Sequence, residues 1–236
     1  QSAAGPYRGA MSITKETPVG TIAAQFPLAT RVFARHQIDF CCGGGLALEA
    51  ACEKRQVDVA AVLDELQSAI QGPADPDLAR WDTAPLPELI DHLLTAFHAP
   101  QREELDRILA MTEKVCSVHG DKDPARFADL LHTVRNMHAD LEQHFLKEEQ
   151  ILFPTILEGN GAMAALGPIP VMEGEHEAVG EMLRTLRHLT NDYTVPEGAC
   201  NTWTALWHAL ADIERTLHMH IHLENNVLHE RVRSGS

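Results

Sequence analysis

His144-Phe145-Leu146-Lys147-Glu148 and His220-Ile221-His222-Leu223-Glu224 are two copies of one pattern, followed by Ile151-Leu152 and Val227-Leu228. On a helix, residues i and i+4 stand one above the other on the same face. Each copy therefore aims an imidazole and a carboxylate at one point. Leu141, Phe145, Ile151 and Leu152 flank the first copy, and Leu217, Ile221, Val227 and Leu228 the second. Both faces read as largely buried, where an unpaired His or Glu would be costly.

Each motif helix follows another helix that carries an acid-His dipeptide, Asp91-His92 before the first and Glu175-His176 before the second. His92 lies 52 residues before His144, and His176 lies 44 before His220. The order is His, then His-x-x-x-Glu, given twice, and it predicts a pseudo-twofold bundle. The expected ligands are His92, His144, Glu148, His176, His220 and Glu224. Six imidazole and carboxylate donors without a thiolate suit two metal ions with shared carboxylates, and favour iron or manganese over structural zinc. Helical phase places His222 about 200° round from His220, away from the centre shared with Glu224, and His218 is similarly displaced. The other histidines, His98 and His229 among them, read as surface. Carboxylates that could fix an imidazole tautomer or relay a proton are Asp91, Asp140, Glu173 and Glu175.

The rest of the chain agrees with an all-α fold. Four long helical segments are expected, over about 86–118, 124–157, 169–189 and 199–232, joined by Gly-, Pro- and Asn-containing turns. Pro100 and Pro154 should interrupt the first two. Together they predict an antiparallel four-helix bundle over 88–233. Upstream, short helical pieces over 11–72 surround Asp39-Phe40-Cys41-Cys42-Gly43-Gly44-Gly45, a loop in which Cys41 and Cys42 are candidate redox thiols. The Pro-punctuated stretch 73–87 reads as a linker. Gln1–Ala10 reads as appended residues ahead of Met11.

A net charge of −15 argues against nucleic acid and anionic membrane as partners. No stretch approaches 18 uninterrupted apolar residues, so no membrane span is expected. Five irregularly spaced cysteines suit reduced thiols in a cytoplasm better than a disulfide framework.

The N-terminal Asp-Phe-Cys-Cys-Gly-Gly segment occurs together with Met172-Glu173-Gly174-Glu175-His176, His144-x-x-x-Glu148-Glu149-Gln150-Ile151-Leu152-Phe153-Pro154 and His220-x-x-x-Glu224-Asn225-Asn226-Val227-Leu228. In this combination the chain, from Val19 to Val232, resembles the repair-of-iron-centres (RIC) family. The resemblance implies a hemerythrin-like bundle with two iron ions bridged by an oxo or hydroxo group and by carboxylates, Glu148 and Glu224. It implies a cytoplasmic protein of nitrosative or oxidative stress that binds or reacts with nitric oxide and supports repair of iron-sulfur clusters. Iron-sulfur proteins are the implied partners, and a homodimer is allowed. Glu175 matches an acidic residue lining a channel to the centre, a candidate proton relay, and Asp140 matches a second acidic position that is commonly Glu. The alternatives are an NO reductase enzyme, or a non-catalytic carrier or sensor of NO or O2.

Overall fold

The computed structural model describes residues 13–26, 28–40, 44–71 and 80–235. Cys41 and Cys42, residues 1–12 and the first part of the expected linker (73–79) lie outside the described residues. No strand occurs among the described residues; one isolated bridge joins Pro18 and Ala47. Two compact units are found, one holding the chain up to Leu89 together with Ile221–Ser234, the other Ile90–His220.

The first unit contains α1 (Val19–Gln25), α2 (Ala29–Arg35), α3 (Leu48–Arg55) and α4 (Val59–Gln71). Val32, Phe33, Leu48, Cys52, Val62 and Leu66 are buried among them. Gly44 is there for closeness rather than for an unusual dihedral. Its carbonyl accepts a hydrogen bond from the Gly20 amide at 2.8 Å, and a Cβ on Gly44 would lie 3.0 Å from the Gly20 Cα. The end of the chain belongs to this unit, and Arg231 donates to the carbonyls of Trp81 and Ala84 at 2.9 and 2.8 Å.

The long helices are not uniform. The first runs α5 (Leu86–His92), π1 (Leu93–His98) and α6 (Ala99–His119). The second runs α7 (Pro124–Lys147), π2 (Glu148–Leu152) and α8 (Phe153–Leu157). After a short α9 (Gly161–Leu166), inside a stretch expected to be loop, come α10 (Pro168–Thr190) and α11 (Asn201–Leu223). The chain continues through π2's counterpart π3 (Glu224–Leu228) into α12 (His229–Ser234). Pro100 and Pro154 were expected to interrupt their helices. Each instead occupies the first turn after a π segment, where a proline's missing N–H costs least. The interruption is the wide π turn itself.

In the second unit the apolar stripes of the four long helices meet. Leu105, Ile108 and Val115 of α6, Leu130, Val134 and Leu141 of α7, Leu183 and Leu186 of α10, and Leu206, Leu210 and Ile213 of α11 are buried. Helix α7 starts with Asp123 accepting from the Arg126 amide and Pro124 in the first turn. Helix α10 ends in Asn191, whose left-handed φ of 51° closes the helix.

Candidate metal centre

Two groups of four buried side chains offer converging donor atoms: His98, Glu148, His220 and Glu224, and His144, Glu148, His176 and Glu224. Within each group the ligand atoms lie within 4.8 Å of one another. Glu148 and Glu224 belong to both groups. Glu148 spans them with its two oxygens: Oε2 is 3.3 Å from Nε2 of His98 and Oε1 is 3.3 Å from Nε2 of His144. Glu148 and Glu224 are fully buried, and the four imidazoles almost so.

Three of the four imidazoles are held in one tautomer from behind. Nδ1 of His98 donates to Glu149 at 2.9 Å, Nδ1 of His144 to Glu175 at 3.0 Å, and Nδ1 of His220 to the side-chain carbonyl of Gln101 at 2.9 Å. A proton on Nδ1 leaves Nε2 with its lone pair directed inward, the form that ligates a metal. Two of the backing carboxylates are themselves clamped by cations. Arg102 donates to Glu149 at 2.8 Å, and Lys147 to Glu175. Burial resists ionisation of both carboxylates. The hydrogen bonds from Arg102 and His98, and from Lys147 and His144, prevail and hold both below the ordinary carboxylate range. The backing of His220 is a neutral amide.

Cation binding fits this arrangement. Nε2 of His144 and Nε2 of His176 face each other at 3.0 Å, a spacing at which one cation can take both as ligands. Two carboxylates buried beside four imidazoles likewise call for compensating positive charge. The donors are nitrogen and oxygen only, which suits iron.

Of the expected ligands, His144, Glu148, His176, His220 and Glu224 come together. His92 is in neither group, and His98, read from sequence as surface, stands in its place. His92 is half-buried and packs edge-on against the ring of Phe97 at 5.5 Å, and Phe97 in turn stacks on His220 at 5.2 Å. One aromatic ring thus stands between His92 and the cluster. The repeat itself held the signal: His98 precedes His144 by 46 residues, close to the 44 between His176 and His220. Gln101, Arg102, Lys147 and Glu149 were also missed; each lies within five residues of a clustered histidine. Glu175 touches His144 as a backing residue should, whereas Asp140 is exposed on α7. His222 is in neither group. It is buried in a T-shaped contact with Phe40, ring centres 5.6 Å apart, and burial lowers its pKa to about 4. His229, also read as surface, is fully buried.

Two family models match the chain, a domain of unknown function named ScdA_N over residues 15–70 and the hemerythrin HHE cation binding domain over residues 89–232. The chain is 40% identical to an iron-sulfur cluster repair protein YtfE of Citrobacter koseri, and 39% identical to one of Escherichia coli O157:H7. Both alignments span 94% of this chain and 98% of the relative. The chain belongs to the RIC family of hemerythrin-like proteins. The Cys-Cys segment and the His/Glu bundle, on which the resemblance was drawn, are thereby joined in one known architecture. Within it the buried His/Glu groups lie in the part matched by the cation-binding domain.

Proposed function

We propose that the protein holds two iron ions and uses them, in the cytoplasm, to react with nitric oxide and to support repair of iron-sulfur clusters damaged by nitrosative or oxidative stress. The observation that carries this reading is the sharing of Glu148 and Glu224 by two overlapping donor groups. His98 and His220 would hold one ion, His144 and His176 the other, and the two carboxylates would bridge them. Bound there, a ferrous pair supplies affinity for NO or O2, reducing electrons, and iron that can pass to another protein. The chain's own part is preparation. Glu149, Glu175 and Gln101 keep Nδ1 protonated on three imidazoles, and the apolar core excludes bulk water. The names of the relatives support a repair role, and the free thiols of Cys52, Cys116 and Cys200 agree with a reducing compartment. Iron-sulfur proteins are the expected recipients.

The test is made on anaerobically reduced, iron-loaded protein. Near two irons per chain, a spectral change on NO titration, and reactivation of a nitrosylated iron-sulfur dehydratase are expected. A reduced protein indifferent to NO and unable to restore the dehydratase would sink the proposal. Glu175 favours a second reading. It is partly exposed, its side chain 32% accessible, yet hydrogen-bonded to His144, so it joins the solvent side to the cluster. A proton route of that kind suits reductive coupling of two NO to nitrous oxide and water. Nitrous oxide in excess of one equivalent per protein distinguishes catalysis from binding.

A further inference from the structure

Away from the cluster, the thiol of Cys200 lies 3.2 Å from Nε2 of His119. Cys200 is exposed, and immediately precedes the 23-residue helix α11. Its carbonyl accepts from the Thr204 amide at 2.9 Å, so it occupies the helix-start position, where the field of the helix favours a negative group. His119 ends α6 and is held in place by Trp203, ring centres 4.8 Å apart. Trp203 is itself fixed against Phe127 and Trp207. A nucleophile, a base within hydrogen-bond reach and a rigid group orienting the base make up the arrangement of an activated thiol. Cys116 offers an internal contrast. Its thiol donates to the Phe127 carbonyl at 3.3 Å, and burial pushes its pKa up.

We infer that Cys200 and His119 form a surface site for reversible thiol-disulfide exchange with small disulfides. His119 takes the proton from Cys200, and the Cys200 thiolate attacks one sulfur of the incoming disulfide. A new S–S bond to Cys200 forms, and the old S–S bond breaks. The released half leaves as a thiolate and takes the proton from His119. The protein thiol is oxidised and half of the small disulfide is reduced, so no other oxidant enters.

The full-length protein is incubated with oxidised glutathione, and adducts are assigned by peptide mass spectrometry, with Cys200→Ser as the blank. Native Cys200 is expected to react about tenfold faster than a synthetic peptide of residues 196–206. His119→Gln should bring it to the peptide rate, and Cys116 should stay slow in both proteins. A native rate no greater than the peptide's overturns the site. So does a His119→Gln protein of unchanged helical circular dichroism that reacts as fast as the parent. If that variant does not fold, the comparison with the peptide decides.

Discussion

Glu148 directs one carboxylate oxygen at each of two imidazoles from a fully buried position. Its removal should therefore affect both halves of the centre at once. Glu148→Ala is expected to lose most of the iron, whereas loss of one terminal imidazole should affect one ion more than the other. His98 and His92 are told apart by metal content. His98→Ala should lower iron per chain, measured by elemental analysis, to about half or less, while His92→Ala keeps nearly the parent content; the reverse pattern would restore His92 as the ligand. Behind the ligands, the Glu175 carboxylate fixes the tautomer of His144. Glu175→Ala should weaken iron binding about 10- to 100-fold in a chelator competition, the range found when such backing groups are lost.

Among the elements, the π segments carry the centre. His98 closes π1, Glu148 opens π2 and Glu224 opens π3. A π turn inserts a residue into the helix and redirects side chains, so the residues that follow do not keep the phase of a straight α-helix. In the N-terminal unit, the approach of Gly20 and Gly44 is an equally local demand. Gly44→Ala should cost about 1–3 kcal/mol in urea unfolding, because the added carbon meets backbone that cannot fold away. Gly45→Ala is the control: a Cβ there meets nothing within 4 Å, and its effect should stay within about 0.5 kcal/mol. The turn between α10 and α11 is pinned differently. Arg187 donates to Glu214 at 2.7 Å, and the Tyr193 hydroxyl donates to the same carboxylate. Burial and the Glu214 charge push the Tyr193 pKa far up. With Glu214 4% exposed, Glu214→Ala would leave Arg187 with Asp192 as its remaining carboxylate partner and take the acceptor from the Tyr193 hydroxyl, and should cost about 2 kcal/mol of stability.

For the whole molecule, metal and fold are linked. Iron that binds only the folded chain stabilises it by about 2.7 kcal/mol when free metal is a hundred times its dissociation constant. It also removes the repulsion between two buried carboxylates. Chelation should therefore lower the midpoint of thermal unfolding, seen by calorimetry, and re-addition of ferrous iron should restore it. An unchanged midpoint would mean that the cluster is satisfied without a cation. No helix among the described residues is long and apolar enough to cross a membrane.

The sequence by itself determined the helical class, and it named five of the six residues that converge in the two buried donor groups. Apolar periodicity and i,i+4 spacing are local properties, written directly in the order of residues. It also carried the family, because the Cys-Cys segment and the His/Glu motifs occur together. Only the tertiary structure showed that His98, and not His92, stands beside Glu148 and His220. Both are histidines on one long helical stretch, and the choice depends on how the π turn and the ring of Phe97 place them against Glu148 and His220. The partners Glu149, Arg102, Lys147 and Gln101 were hidden for the same reason. A hydrogen bond such as that from His220 to Gln101 joins residues 119 positions apart, and such a contact exists only when helices distant in sequence are packed side by side.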